Sequence, residues 1–166
     1  MKRIYSEKDI HYQIIQYNER ASIDKLKKDD DKLWKTLSKQ QKELAGGVSE
    51  TDPSVFKYLI KRFKMIDKDS LDIIGIFDIL KRVPKDKTNK DLCCQIVINP
   101  AYQNKGYGTI LAKEATNWYK KNKSKYGDID WACLRNNKAS IKLAEKCGWT
   151  YMDNISDEDW AVYNFK

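Results

Sequence analysis

Ile98-Asn99-Pro100-Ala101-Tyr102-Gln103-Asn104-Lys105-Gly106-Tyr107-Gly108-Thr109 holds a strand end, a turn and a helix start in succession. Asn99-Pro100 halts the apolar run before it, because proline has no N–H and biases its neighbour away from the helix. Glycine accepts positive φ and lets main chain approach a ligand closely, and the free N–H groups of a helix start point at whatever lies there. Those features describe an anion cradle. The third glycine of a dinucleotide loop and the Gly-Lys-Ser/Thr of a nucleoside triphosphate loop are both missing.

Leu92 to Ile98 runs into this turn as an apolar strand, and Gly106 to Asn122 leaves it as a helix with Ile110, Leu111, Ala115, Trp118 and Tyr119 on one face. Next come a strand at Ile129 to Leu134, a helix from Lys138 to Cys147 with Ala139, Leu143 and Cys147 along one side, and a last strand from Trp160 to Phe165. Upstream, Phe63-Lys64-Met65 and Leu71 to Leu80 read as a hairpin turning at Asp67-Lys68-Asp69-Ser70, and Val83 to Lys90 as a solvated loop. Lys2 to Tyr5 reads as a first strand, with a helix start at Ser6 and Asp9 and a helix from Asp9 to Arg20. Ile23, Leu26, Leu33, Leu37 and Leu44 make one stripe on a charged helix from Ser22 to Ala45, stopped by Gly46-Gly47. Thr51-Asp52-Pro53 starts another helix, ending near Lys61. The sum is an α+β domain: a mixed, mostly antiparallel central sheet flanked by helices.

The 166 residues make one domain, 1–166, large enough to bury a core without staples. With 41% hydrophobic residues, seven glycines and three prolines, the chain is neither fibrous nor disordered. No apolar run approaches the roughly 20 residues of a membrane span, and the charged start lacks a signal segment. A cytoplasmic protein is expected. Cys93, Cys94, Cys133 and Cys147 lie among apolar neighbours without metal-ligand spacing, so reduced core thiols and no metal are expected. The single histidine, His11, disfavours His-activated nucleophiles and multi-His centres. The net charge of +8 is spread over interleaved acids and bases, which reads as solvated surface more than as a binding arm.

Gln103-x-x-Gly106-x-Gly108 after a strand ending in Ile98-x-Pro100 resembles motif A of the GNAT acyltransferase superfamily. Asn137-Lys138-Ala139-Ser140-Ile141-Lys142-Leu143-Ala144-Glu145-Lys146-Cys147-Gly148-Trp149 is similar to that family's later helix, which ends in Gly-aromatic. The second half of the chain matches closely; residues 2–80 agree only in element order. The Asn-x-Ala-Ser form and the Ile74-Gly75 strand are most similar to the branch that acetylates protein N-termini, including the ribosomal-protein enzymes, and the charged helix at 22–45 departs from that branch.

The resemblance implies the GNAT (acyl-CoA N-acyltransferase) fold and acetyl-CoA as cosubstrate, bound in a split between the strands ending at Ile98 and Leu134. Its pantetheine arm would pair with main chain near Ile96 and Ile98, where an N–H would also steady the oxyanion. The segment Gln103, Asn104, Lys105, Gly106, Tyr107, Gly108 and Thr109 would hold the pyrophosphate, mostly through main-chain N–H groups. Asn137 would reach the pantetheine arm, a role compatible with capping the helix at Lys138. Many family members carry, where this chain has Ala144, a Tyr that protonates the departing thiolate. Ser140 lies one turn earlier on the same face, and helical side chains lean toward the N-terminus, so its hydroxyl would reach overlapping space. Ser140 is therefore the candidate acid; its competing role is a local bond to helix backbone.

No general base is identifiable: Asp72, Asp78 and His11 read as surface or capping residues. Without one, an α-amine near pKa ~8 is a better acceptor than a lysine amine near ~10.4. A covalent acyl carrier at Cys133 or Cys147 is disfavoured against core packing. The leading expectation is direct acetyl transfer to a primary amine, of a protein N-terminus or a small molecule, with a homodimer as a candidate assembly. A non-catalytic acyl-CoA sensor is the alternative, given Ala144 and the absent base; a ribosome- or nucleic-acid-binding module rests on the +8 charge alone.

Overall fold

The computed structural model describes residues 11–44, 53–81 and 92–165. Its strands are β1 (Tyr12–Asn18), β2 (Leu59–Asp67), β3 (Ile73–Lys81), β4 (Leu92–Ile98), β5 (Ile129–Leu134), β6 (Thr150–Tyr151) and β7 (Trp160–Asn164). They form one sheet in the order β1-β2-β3-β4-β5-β7-β6, antiparallel throughout except for the parallel β4–β5 pair. The helices are α1 (Ile23–Trp34), α2 (Lys39–Leu44), α3 (Tyr107–Tyr126) and α4 (Lys138–Lys146). The expected α+β architecture is present.

The N-terminal third departs from the sequence reading. Residues 12–18, expected within a helix from Asp9 to Arg20, form β1, whose seven residues all register against β2. Extended backbone lets Tyr12 and Ile14 reach the main core while Tyr17 packs on a second cluster across the sheet. His11 accordingly precedes a strand, not a helix turn. The strand expected at Lys2 to Tyr5 and the Ser6 cap lie outside the described residues, as do Gly46-Gly47, Thr51-Asp52 and the loop at Val83 to Lys90.

The helix expected from Ser22 to Ala45 is two helices. Thr36 Oγ1 donates to the Leu33 carbonyl at the end of α1. Ser38 and Gln41 then cap α2 reciprocally: Gln41 N–H donates to Ser38 Oγ (3.2 Å) and Ser38 N–H to Gln41 Oε1 (2.7 Å). That Ser-x-x-Gln box starts a new helix and lets Leu37 and Leu44 serve a different surface from Leu26 and Leu33. The helix expected to end near Lys61 is a 3-10 turn at Pro53–Tyr58, and Leu59 already belongs to β2. The expected hairpin is present, with Asp67 Oδ1 accepting from the N–H groups of Asp69 and Ser70.

Aromatic rings fill the space between sheet and α3, with Phe63 against Trp118, Phe77 against Trp131, and Trp149 between Trp131 and Phe165. Leu111, Ala112, Ala115, Thr116 and Tyr119 form the buried face of α3, whereas Ile110, expected on that face, is exposed. Cys94 and Cys133 are buried core thiols as expected, Cys93 and Cys147 only half-buried, and all four are free.

The opposite face carries a buried ion network. Arg62 donates Nε and Nη2 to the two Asp78 oxygens (2.7 and 2.6 Å), and Nη1 reaches Asp30 Oδ1 at 2.7 Å, fastening α1 to the sheet. Burial pushes the Asp30 carboxyl up to about 6, with the Arg62 charge opposing and Asp78 and Asp29 adding to the rise. An acid whose folded pKa lies above its unfolded value near ~3.9 stabilises the fold at low pH and loses that contribution as pH climbs through its folded pKa. Asp30→Asn is therefore expected to lose less unfolding free energy than wild type between about pH 4 and pH 7. Denaturant titration across that range measures the slope, and equal slopes would count against this assignment.

Gly75 on β3 lies across from Ile98 on β4. A Cβ there would sit 2.5 Å from Ile98 Cδ1, 3.0 Å from the Val97 carbonyl and 3.3 Å from Leu111 Cδ2. Gly75→Ala is expected to cost about 1–3 kcal/mol in thermal or chemical unfolding by forcing β4 and α3 aside.

Candidate active site

β4 and β5 stay paired over only three positions, Leu92 with Ile129, Cys93 with Asp130 and Cys94 with Trp131. Beyond them β4 continues on β3 alone and β5 on β7 alone, so the sheet opens into a split. Main-chain groups alternate sides along a strand. Asn99 N–H points to β3, where it donates to the Ile74 carbonyl at 2.8 Å, and Leu92 N–H points the other way, to the Asp128 carbonyl. Ile96 and Ile98 share the parity of Leu92, so their main-chain groups face the split.

At the mouth of the split the chain turns into α3. Asn99 is buried and holds the turn: its Oδ1 accepts from Ala101 N–H and its Nδ2 donates to the Ile73 carbonyl, both at 3.1 Å. Gln103 Nε2 donates back to the Ile98 carbonyl (3.1 Å), so this side chain braces the loop. Asn104 (φ 59°) and Gly106 (φ 88°) reverse the backbone, and Gly106 caps α3 without any side-chain bond. Among the described residues, no acceptor meets the main-chain N–H groups of Asn104 to Thr109. A Cβ on Gly108 would touch Ile98 and Leu143 at 3.5 Å, an ordinary contact, whereas Gly106 has open space around it and owes its glycine to backbone conformation.

A cavity of about 570 Å³ occupies the split. Of the residues expected around a cofactor, Ile96, Ile98, Gln103, Asn104, Gly106, Gly108, Thr109 and Asn137 line it, and so does Ser140. Lys105 and Tyr107 do not: Lys105 Nζ lies over the Tyr102 ring, and Tyr107 packs edge-on against Tyr12 and Tyr102. The reading from sequence missed the wall given by Leu37, Gln41 and Leu44 around α2, for which the Ser38-x-x-Gln41 box was the available signal. It also missed Lys142 and Lys146, which bring positive charge to the rim. Asn137 caps α4 through Oδ1, accepting from Ser140 N–H, and spends Nδ2 on the Leu44 carbonyl, tying α2 to α4. Ala139 and Leu143, expected on the packing side of α4, face this cavity, and Ala144 is the residue of α4 that enters the core.

Ser140 Oγ accepts the indole N–H of Trp131 at 2.9 Å, in place of the local backbone bond that a serine in a first helical turn often makes. Ala144, one turn on, is fully buried and outside the cavity lining. Burial pushes the Cys133 thiol up, with the Ser140 hydroxyl opposing; it also raises Cys147, against the charges of Lys113 and Lys146. Neither is an activated thiolate.

Asp78 is a buried partner of Arg62, not the surface or capping residue expected. Asp72 meets the Tyr102 hydroxyl at 3.4 Å and exposed His11 lies near Asp69; neither lines the cavity. No carboxylate or imidazole lines it among the described residues.

The model of the acetyltransferase (GNAT) family matches residues 23–149, and the chain belongs to that family. Solved structures of the same fold include yncA from Salmonella typhimurium, crystallised with acetyl-CoA (TM-score 0.66, 12% identity, covering 95% of this chain and 94% of that one). The ribosomal-protein-S5-alanine acetyltransferase of Vibrio fischeri aligns with TM-score 0.61 and 16% identity over 94% of this chain and 93% of its own. The GNAT domain of S. lividans PAT aligns with TM-score 0.64 and 11% identity over 93% and 89%. No curated protein matches the sequence. Among the described residues no helix is long and apolar enough to cross a membrane, and no group of side chains could hold a metal ion.

Proposed function

We propose that this chain is an N-acetyltransferase that moves the acetyl group of acetyl-CoA directly to a primary amine. The observation that carries the reading is the split of β4 from β5 joined to the N–H groups at residues 104–109, which meet no acceptor among the described residues. The cradle suits a pyrophosphate: a run of main-chain donors at the N-terminus of a 20-residue helix, with Lys142 and Lys146 nearby. The split suits an extended amide-bearing arm, which would pair with Ile96 and Ile98 as an added strand.

Acetyl-CoA supplies an acetyl thioester. The amine nitrogen bonds to the acetyl carbon, the C–S bond breaks, and the Ser140 hydroxyl gives its proton to the departing sulfur; the new amide sheds one proton to solvent, and Ser140 regains one from solvent. A free main-chain N–H of β4 steadies the negative charge that gathers on the acetyl oxygen. With no carboxylate or imidazole lining the cavity among the described residues, an acceptor that arrives neutral is favoured, an α-amine over a lysine side chain. The fold shared with a ribosomal-protein-S5-alanine acetyltransferase supports a protein amine as acceptor, as does the Asn137-x-Ala139-Ser140 form. A cytoplasmic location fits four free cysteines. The test is acetyl-CoA-dependent thiol release with peptide N-termini, lysine, polyamines and aminoglycosides. Release with α-amines ahead of lysine is expected; tight binding without release on any amine would make the chain a sensor.

A further inference from the structure

We infer that Trp131 is a positioning residue for the reaction, its indole N–H fixing the Ser140 hydroxyl and strengthening it as the proton donor. The inference rests on the transfer reading above.

Trp131 occupies the last position at which β5 still pairs with β4, so it stands where the split begins. Its ring is buried and clamped between edge-on partners, Phe77 (centroids 5.6 Å apart) and Trp149 (5.4 Å). An indole can only donate. The N–H is thus a fixed vector ending on Ser140 Oγ at 2.9 Å, while Ser140 N–H is separately held by Asn137 Oδ1 at 3.1 Å.

A second buried indole shows what this arrangement adds. Trp149 Nε1 also donates to a hydroxyl, that of Thr116 (3.2 Å), but Thr116 gives its own proton to the Ala112 carbonyl at 2.7 Å. That pair is closed. Ser140 Oγ gives its proton to no main-chain carbonyl among the described residues; its other neighbour is the Cys133 sulfur, a weak acceptor. Having accepted from Trp131, the hydroxyl cannot turn its proton toward the ring, and the bond polarises it for donation. As Ser140 releases its proton to the leaving sulfur, the oxygen gains negative charge, and the indole N–H is already aimed at it.

Trp131→Phe keeps a ring and removes the donor. With an accepted amine, kcat is expected to fall about tenfold while KM for acetyl-CoA stays put. Placed on Ser140→Ala, the same change should leave kcat where Ser140→Ala alone put it. An equal drop in both backgrounds would mean lost packing and would overturn the inference, as would a wild-type kcat in Trp131→Phe. Should that variant not fold, 5-fluorotryptophan incorporation supplies a stronger N–H donor: a kcat raised in wild type but not in Ser140→Ala supports the role, and a parallel change refutes it. If Ser140→Ala alone costs nothing, the acid assignment beneath falls and this inference with it; if only Trp131→Phe is silent, the acid stands and the indole is a packing group.

Discussion

Gly106→Glu is expected to weaken acetyl-CoA binding about a hundredfold while leaving the melting temperature nearly unchanged. The two halves of that result have separate causes. Nothing lies within 4 Å of a Cβ built at Gly106, so the first atom of the new side chain meets open space, at the mouth of the cavity and outside the core. The backbone at φ 88° is another matter, because a non-glycine residue resists that conformation by roughly 1–2 kcal/mol. The free loop relieves this strain by rotating, which turns the N–H groups of residues 104–109 away from a common focus; binding must restore it. The glutamate charge then opposes the phosphates at short range. Gly106→Ala carries only the backbone part and should lose about tenfold. Calorimetry on the three proteins separates the contributions. Unaltered affinity in Gly106→Glu would mean that the nucleotide is held elsewhere.

Ser140→Ala is expected to lower kcat by roughly a hundredfold with the dissociation constant for acetyl-CoA unmoved. Ser140 lines the cavity, its hydroxyl has no main-chain acceptor among the described residues, and it offers a proton donor one turn before Ala144, which is turned into the core and offers none. Alanine keeps the helix, and Asn137 still caps it, since that bond goes to the main-chain N–H of residue 140. A stable fold with slow turnover is the predicted signature. Acceptor-dependent thiol release at the wild-type rate would remove Ser140 from the chemistry and leave the proton to water.

The second half of the chain was legible because its signals are local. Asn99-Pro100 ends a strand by its own covalent chemistry, Gly106 and Gly127 take φ values of 88° and 78° at the two ends of α3, and Asn137 caps α4. Each needs only its neighbours in sequence. The first third misled for the complementary reason: Tyr12-Gln13-Ile14-Ile15-Gln16-Tyr17 satisfies a helix stripe as well as a strand, and the pairing that decides it lies about fifty residues away on β2. The Ser38-x-x-Gln41 box was readable, but the heptad run of leucines on both sides masked it.

The bend at residues 98–109 was determined by sequence, since glycine conformations and proline's missing donor are properties of single residues, and Asn99 then fastens it to Ile73 on β3. Tertiary structure decided what surrounds that turn. It parted β4 from β5 after Cys94, set α2 as a wall, and turned Lys105 and Tyr107 away from the cavity. It also brought the indole of Trp131 onto Ser140, nine residues along the chain and in another element. Such contacts join elements through packing and strand register, which depend on every residue in the sheet at once and leave no mark in any short stretch.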